Sequence, residues 1–192
     1  MEVPSRPLLF AKWPNAIIGE GDAIVLPSFA REVDYEAELA VVIREQARAL
    51  TVDQALGVVA GYTCLNDVSA RDVQFEDGQW TRGKSFDTFC PLGPAIVPVE
   101  EIPDPQSLRV RCFLNGEVVQ DDSTANMIFS VAELISFASQ SIRLEPGDIL
   151  ATGTPAGVAL GQQQPRWLAA GDVVSVEIEG VGVLTNSVTR EI

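Results

Sequence analysis

The 192-residue chain carries 46% hydrophobic and 21% charged residues, an ordinary globular balance that excludes global disorder, and a single domain spanning residues 1–192 is expected. Its formal net charge of −14, from 27 acidic against 13 basic side chains, argues against phosphate backbones and anionic membranes as partners, because both are bound through Lys and Arg. Histidine is absent, so Ser-His-Asp triads, Cys-His pairs and imidazole metal ligands are removed, and any chemistry falls to carboxylates, lysine, backbone groups or a metal ion.

Residues 23–27 (AIVLP) read as a short strand closed by Pro27, and the apolar alternation over 33–43 reads as a longer one. Thr51 with Gln54 forms a capping box for a short helix reaching about Gly57, followed by the strand VVAGYTCL. From Asn66 to about Glu76 the spacing predicts a helix opened by the cap-prone Asn66-Asp67 and ended by Gly78. Asn115-Gly116 between LRVRCFL and EVVQ is a two-residue hairpin signal. Ser130 and Glu133 form a second capping box for the helix VAELISFASQ, whose Val131, Leu134, Ile135 and Ala138 are expected to pack inward. Turns at 145–148 and 170–172 lead into the strands DILATG and VVSVEIEG, the latter pairing with VGVLTNSV across Gly180. Strands outnumber helices and meet through tight turns, which predicts an α+β fold, predominantly β and largely antiparallel, closed as a sandwich or roll.

Cys64, Cys90 and Cys112 lie far apart without a C-x-x-C pair, so neither a zinc site nor a disulfide framework is suggested. No run of about 18 apolar residues and no leader pattern occurs, and a soluble cytoplasmic protein is expected.

Four places could carry chemistry. In a strand, residues two apart project from one face with Cα atoms roughly 6.5–7 Å apart, so Glu36 and Glu38 could converge on one ion, or the strand end could simply be wet. Asp67, Arg71 and Gln74 fall on one stripe of the predicted helix, either a solvated face with an ordinary i,i+4 ion pair or a third carboxylate for the same site. Three carboxylates prefer oxygen-loving ions such as Mg²⁺, Mn²⁺ or Ca²⁺. Lys84, in the loop WTRGKSFDTFCPLGP, is a surface lysine, an anion clamp or a base. Thr152-Gly153-Thr154-Pro155 is a plain turn or a set of N–H groups and hydroxyls offered to an anion.

In order, VDYEAELAVVI, LNDVSARDVQ, RGKSFDTFCPLGP, LNGEVVQ with NMIFS, and LEPGDILATGTPAGV resemble the fumarylacetoacetate hydrolase family over about residues 7–190. The resemblance implies that family's mixed β-sandwich roll, usually as a homodimer, with a Mg²⁺ or Mn²⁺ ion (Ca²⁺ possible in crystals) on Glu36, Glu38 and Asp67. It implies that Lys84 and Gln74 contact the substrate's enolate or carboxylate, that Arg71 supports them, and that Thr154 with Gly153 binds a substrate carboxylate. The implied substrates are small 2-oxo or β-diketo acids. The activity expected first is metal-dependent C–C hydrolysis of a β-diketo acid or acylpyruvate through its enolate. Alternatives are an isomerase of the 2-hydroxyhepta-2,4-diene-1,7-dioate type, an oxaloacetate-type decarboxylase, or a non-catalytic binder of metal and dicarboxylate. One departure bears on this choice: hydrolytic members place an H-x-x-E pair just before a P-L-L-F-x-K stretch to activate water, and neither that pair nor the small preceding domain of many bacterial relatives is found before Pro7.

Overall fold

The segment AELAVVI, apolar except for Glu38, forms the strand around which the molecule is organised. A computed structural model describes residues 4–191, so residues 1–3 and 192 of the expected domain lie outside it. Two short strands, β1 (Ile17–Ile18) and β2 (Ile24–Leu26), precede β3 (Val33–Asp34) and β4 (Ala37–Ile43), and all seven residues of β4 are buried, as a strand covered on both faces must be. After α1 (Val52–Ala55), the long β5 (Val59–Asn66) lies antiparallel to β4, with Ala37 opposite Asn66 and Glu38 opposite Leu65. Next come β6 (Ser69–Ala70), α2 (Arg71–Asp77), α3 (Thr81–Lys84) and β7 (Cys90–Pro98). The hairpin β8 (Arg109–Leu114) and β9 (Glu117–Ser123) precedes α4 (Val131–Ser141) and β10 (Ile149–Ala151), and β11 (Val173–Ile178) with β12 (Gly182–Arg190) closes the chain.

One five-stranded sheet has the order β1-β7-β5-β4-β10 and the other β2-β12-β11-β8-β9, with β3 and β6 forming a separate pair. β8 and β11 alternate, burying Val110, Cys112 and Leu114 and Val174, Val176 and Ile178 on one face, and these meet Leu39, Val41, Tyr62 and Cys64 of the first sheet in a common core. The expected α+β, strand-rich sandwich is therefore present. It is not wholly antiparallel: β1 runs parallel to β7 and β2 parallel to β12. These strands of two and three residues are too short to carry a period. The Asn115-Gly116 turn has both residues at positive φ, 53° and 82°, as a primed hairpin turn requires, and both predicted capping boxes are formed.

Two local expectations are corrected. The predicted strand 33–43 is broken at Tyr35-Glu36, because side chains replace strand partners there: Asp34 Oδ1 accepts from Tyr35 N–H at 2.9 Å, Asn66 Oδ1 from Glu36 N–H at 3.0 Å and Gln120 Oε1 from Ala37 N–H at 3.0 Å. The predicted helix 66–76 begins only at Arg71, since Ser69 and Ala70 pair with Asp34 and Val33, and this tertiary pairing overrides the cap signal of Asn66-Asp67. Within α4, Leu134 is only half-buried and faces the cavity described below rather than the core. No helix among the described residues is long and apolar enough to cross a membrane.

Candidate metal centre

The break in the first predicted strand and the late start of the helix bring three carboxylates together. Glu36 lies in the gap between β3 and β4, Glu38 on β4, and Asp67 just past the end of β5, where its N–H donates to the Glu36 carbonyl at 2.9 Å. One carboxylate oxygen from each lies within 4.8 Å of the others, and all three residues are buried. A six-coordinate oxygen shell spans about 4.2 Å across Mg²⁺ and up to about 5 Å across Ca²⁺, so this spacing and this all-oxygen donor set fit a hard divalent ion. Asp67 thus reaches the cluster from a strand end and not from the helical stripe on which the sequence placed it. Arg71 and Gln74 do share α2, with Arg71 Nη1 donating to Gln74 Oε1 at 3.0 Å.

Positive charge packs directly against these acids. Lys84, the last residue of α3 and only 2% exposed, donates to Glu36 Oε2 at 2.8 Å and to Asp67 Oδ2 at 2.6 Å, which rules out the surface-lysine reading. Its ammonium lies 4.9 Å from the centroid of Phe10, whose ring leans on Trp80 at 5.5 Å. Burial alone would depress the Lys84 pKa, but Glu36, Asp67 and Glu38 outweigh it and hold the group above the ordinary lysine value in the metal-free site. Lys12 donates to Asp67 Oδ1 at 2.7 Å, and also to the carbonyls of Val68 and Lys84. Arg71 binds Glu36 Oε1 and, through Nε and Nη2, Asp34 Oδ2 at 3.0 and 2.9 Å.

Four buried acids, Asp34, Glu36, Glu38 and Asp67, thus face three bases, Lys12, Arg71 and Lys84, and Glu38 is the acid with no ion pair among the described residues. Its Oε2 accepts only the Gly153 N–H, at 2.7 Å. Burial, then the Asp67 and Glu36 charges, push the Glu38 pKa from 4.5 up to about 8. A carboxyl raised in the folded state stabilises fully below its unfolded pKa and loses that contribution as pH climbs to the folded value. The metal-free protein should therefore lose stability between about pH 4.5 and 8 in a melting series, and Glu38→Gln should flatten that slope. A melting temperature that rises steadily across this window in the metal-free protein, unchanged by Glu38→Gln, would contradict the assignment.

The Thr152–Pro155 loop follows β10 and lines the cavity, with its two hydroxyls and the Gly153 N–H engaged within the chain. Gly153 N–H serves Glu38, and the Thr154 hydroxyl donates to the Ala37 carbonyl at 3.0 Å while accepting from Gln120 Nε2 at 2.8 Å. The cavity itself, about 1090 Å³, has a polar end at Glu36, Glu38, Arg71, Gln74 and Lys84, and apolar walls that include Phe10, Trp80, Leu134 and Ile149. Three contributors escaped the sequence reading. Lys12 is the lysine of the P-L-L-F-x-K stretch and Gln120 the last residue of LNGEVVQ, but neither motif by itself assigns them a role; Asp34 extends the Glu36, Glu38 spacing by one step.

The family model described as fumarylacetoacetate (FAA) hydrolase C-terminal matches residues 1–189. The chain belongs to the fumarylacetoacetate hydrolase family. Within that family it is 47% identical to the mitochondrial oxaloacetate tautomerase Fahd2a of Rattus norvegicus over 98% of this chain, which spans 60% of that relative's length. Among solved structures, it is similar to a 2-hydroxyhepta-2,4-diene-1,7-dioate isomerase from Mycobacterium marinum, with TM-score 0.91 and 45% identity over 98% of this chain and 71% of that one. It is equally similar to a fumarylacetoacetate hydrolase from psychrophilic Exiguobacterium antarcticum, with TM-score 0.93 and 44% identity over 96% of this chain and 66% of that one. Fumarylacetoacetate hydrolase family relatives of one fold thus bear names from different reaction classes, and the family alone does not choose between them.

Proposed function

We propose that this chain is a divalent-metal-dependent enzyme that interconverts tautomers or double-bond isomers of a small 2-oxo dicarboxylic acid through its enolate. The observation that carries this reading is the buried Glu36, Glu38, Asp67 cluster with the Lys84 ammonium against it, at the polar end of a cavity large enough for such a substrate. A Mg²⁺ or Mn²⁺ ion on the three carboxylates would supply Lewis-acid stabilisation of charge developing on the substrate's oxygens.

The chain's own residues supply the rest. Lys84 places a desolvated ammonium beside the point where negative charge develops, and Arg71, fixed by Asp34, adds a second cation. Gln74 is turned by its bond to Arg71 so that its Nε2, which has no partner among the described residues, is left to donate to a substrate oxygen. The apolar walls keep water away from the enolate. Proton transfer to and from carbon needs, beyond these, one group that takes the proton and returns it. Hydrolysis requires an activated water as well, and of the three carboxylates Glu36 and Asp67 are tied into ion pairs while Glu38, held only by the Gly153 N–H, would be a ligand of the ion. That difference, together with the tautomerase and isomerase among the relatives, favours isomerisation over C–C hydrolysis.

The keto–enol interconversion of oxaloacetate, followed by ultraviolet absorbance with Mg²⁺ and again after chelation, tests the reading, with acetylpyruvate cleavage run in parallel. Metal-dependent acceleration of the oxaloacetate tautomers with little acetylpyruvate cleavage is expected. Acetylpyruvate cleavage as the dominant activity would restore hydrolysis, and no acceleration of either would overturn the enzymatic reading.

A further inference from the structure

We propose that Gln120 is the positioning residue that sets the spacing of the two glutamates of the metal centre, an inference that rests on reading Glu36, Glu38 and Asp67 as that centre. Gln120 belongs to β9 in the second sheet, yet its side chain is 1% exposed and crosses to the first. Its Oε1 accepts from the N–H of Ala37, the residue between the two glutamates, and its Nε2 donates to Thr154 Oγ1 at 2.8 Å and to the Pro155 carbonyl at 2.9 Å. Thr154 Oγ1 donates in turn to the Ala37 carbonyl, which closes a ring through both sides of a single residue. The next residue back along that loop, Gly153, holds Glu38. One amide thereby fixes the backbone that carries Glu36 and Glu38 and the loop that orients the Glu38 carboxyl.

The surrounding backbone is shaped to let Gln120 reach. Cys112 pairs with Gln120 but Phe113 with Val118, so Val119 is the extra residue of a β-bulge, a device that re-aims the neighbouring side chain. Over that bulge passes Gly157 at φ +108°, where an added Cβ would lie 2.1 Å from the Val119 carbonyl oxygen. Only glycine permits the 153–157 loop to press this closely on Gln120.

The test is a Mn²⁺ titration of the folded protein by electron paramagnetic resonance, comparing wild type with Gln120→Met, which fills the same space without the hydrogen bonds, and Gln120→Asn, which keeps the amide but shortens its reach. Both should weaken Mn²⁺ binding about 10- to 100-fold, the usual consequence of losing an outer partner of a metal ligand. Leu114→Ala, a core change in the neighbouring strand away from the cavity, serves as the control that lowers melting temperature and leaves Mn²⁺ affinity alone. Wild-type affinity in folded Gln120→Met, or in Gln120→Asn should the former not fold, would reduce Gln120 to a purely structural residue and overturn the proposal. A wild-type protein that binds no Mn²⁺ would instead remove the metal centre itself, and this inference with it.

Discussion

Lys84→Met is expected to reduce turnover about 10²- to 10³-fold while leaving Mn²⁺ bound at least as tightly as in the wild type. The first effect is the usual size for removing one preorganised positive group from a buried site where charge develops. The second follows from where the ammonium sits. Lys84 Nζ contacts Glu36 and Asp67 within 2.8 Å, so an ion entering among these oxygens meets a like charge already there. At an effective dielectric near 20, unit charges about 4 Å apart interact by about 4 kcal/mol, so relieving even part of this repulsion tightens binding about tenfold. Without any ion, the same variant should melt lower than the wild type, because two buried carboxylates lose their partner. Parallel loss of turnover and Mn²⁺ affinity would make Lys84 a structural brace for the carboxylates instead.

Asp67→Asn is expected to abolish Mn²⁺ binding and to destabilise the metal-free fold by about 3–5 kcal/mol, the range for leaving a buried charge without its partner. From sequence alone, an intact fold is expected, because relieving the crowding of three carboxylates costs the metal-free protein little. The structure reverses this, because Asp67 is fully buried between two ammonium groups, Lys12 at 2.7 Å and Lys84 at 2.6 Å. Burial raises its pKa, but Lys12 and Lys84 more than compensate and hold it below the ordinary carboxylate range. Its stabilising contribution is thus present above about pH 4 and lost as pH falls further. For a chain of this size a loss of 3–5 kcal/mol corresponds to roughly 10 °C in melting temperature. Adding Lys12→Met to Asp67→Asn should recover part of that loss, because it removes one stranded ammonium. An unchanged melting temperature in Asp67→Asn would contradict the ion-paired geometry.

What the sequence made legible was local. The Asn115-Gly116 turn and the two capping boxes each depend on residues a few positions apart, and each is found, while Glu36 and Glu38 converge as their spacing suggested although Glu36 lies just outside the strand. The five ordered motifs brought the fold and the three carboxylates with them. What stayed hidden depends on distant pairing. Asp67 joins the glutamates because β3 pairs with β6 and cuts short a helix whose cap signal is sound by itself. Lys12 reaches Asp67 across 55 positions, Gln120 reaches Ala37 across 83, and Asp34 receives the Ala159 N–H across 125. No local period reports such contacts. Nor does composition reveal that Lys84 is buried, since a lysine beside Gly83 in a semi-apolar loop reads by default as exposed until α3 turns it inward.

Anomalous diffraction from crystals grown with Mn²⁺ reaches the central claim most directly. One peak per chain is expected, bonded to an oxygen of each of Glu36, Glu38 and Asp67 within about 2.0–2.6 Å, with the Lys84 ammonium displaced from the position it shares between Glu36 and Asp67. A peak elsewhere, or none at saturating Mn²⁺ with Lys84 still bridging the two carboxylates, would show the cluster to be a self-contained ion-pair network and not a metal centre.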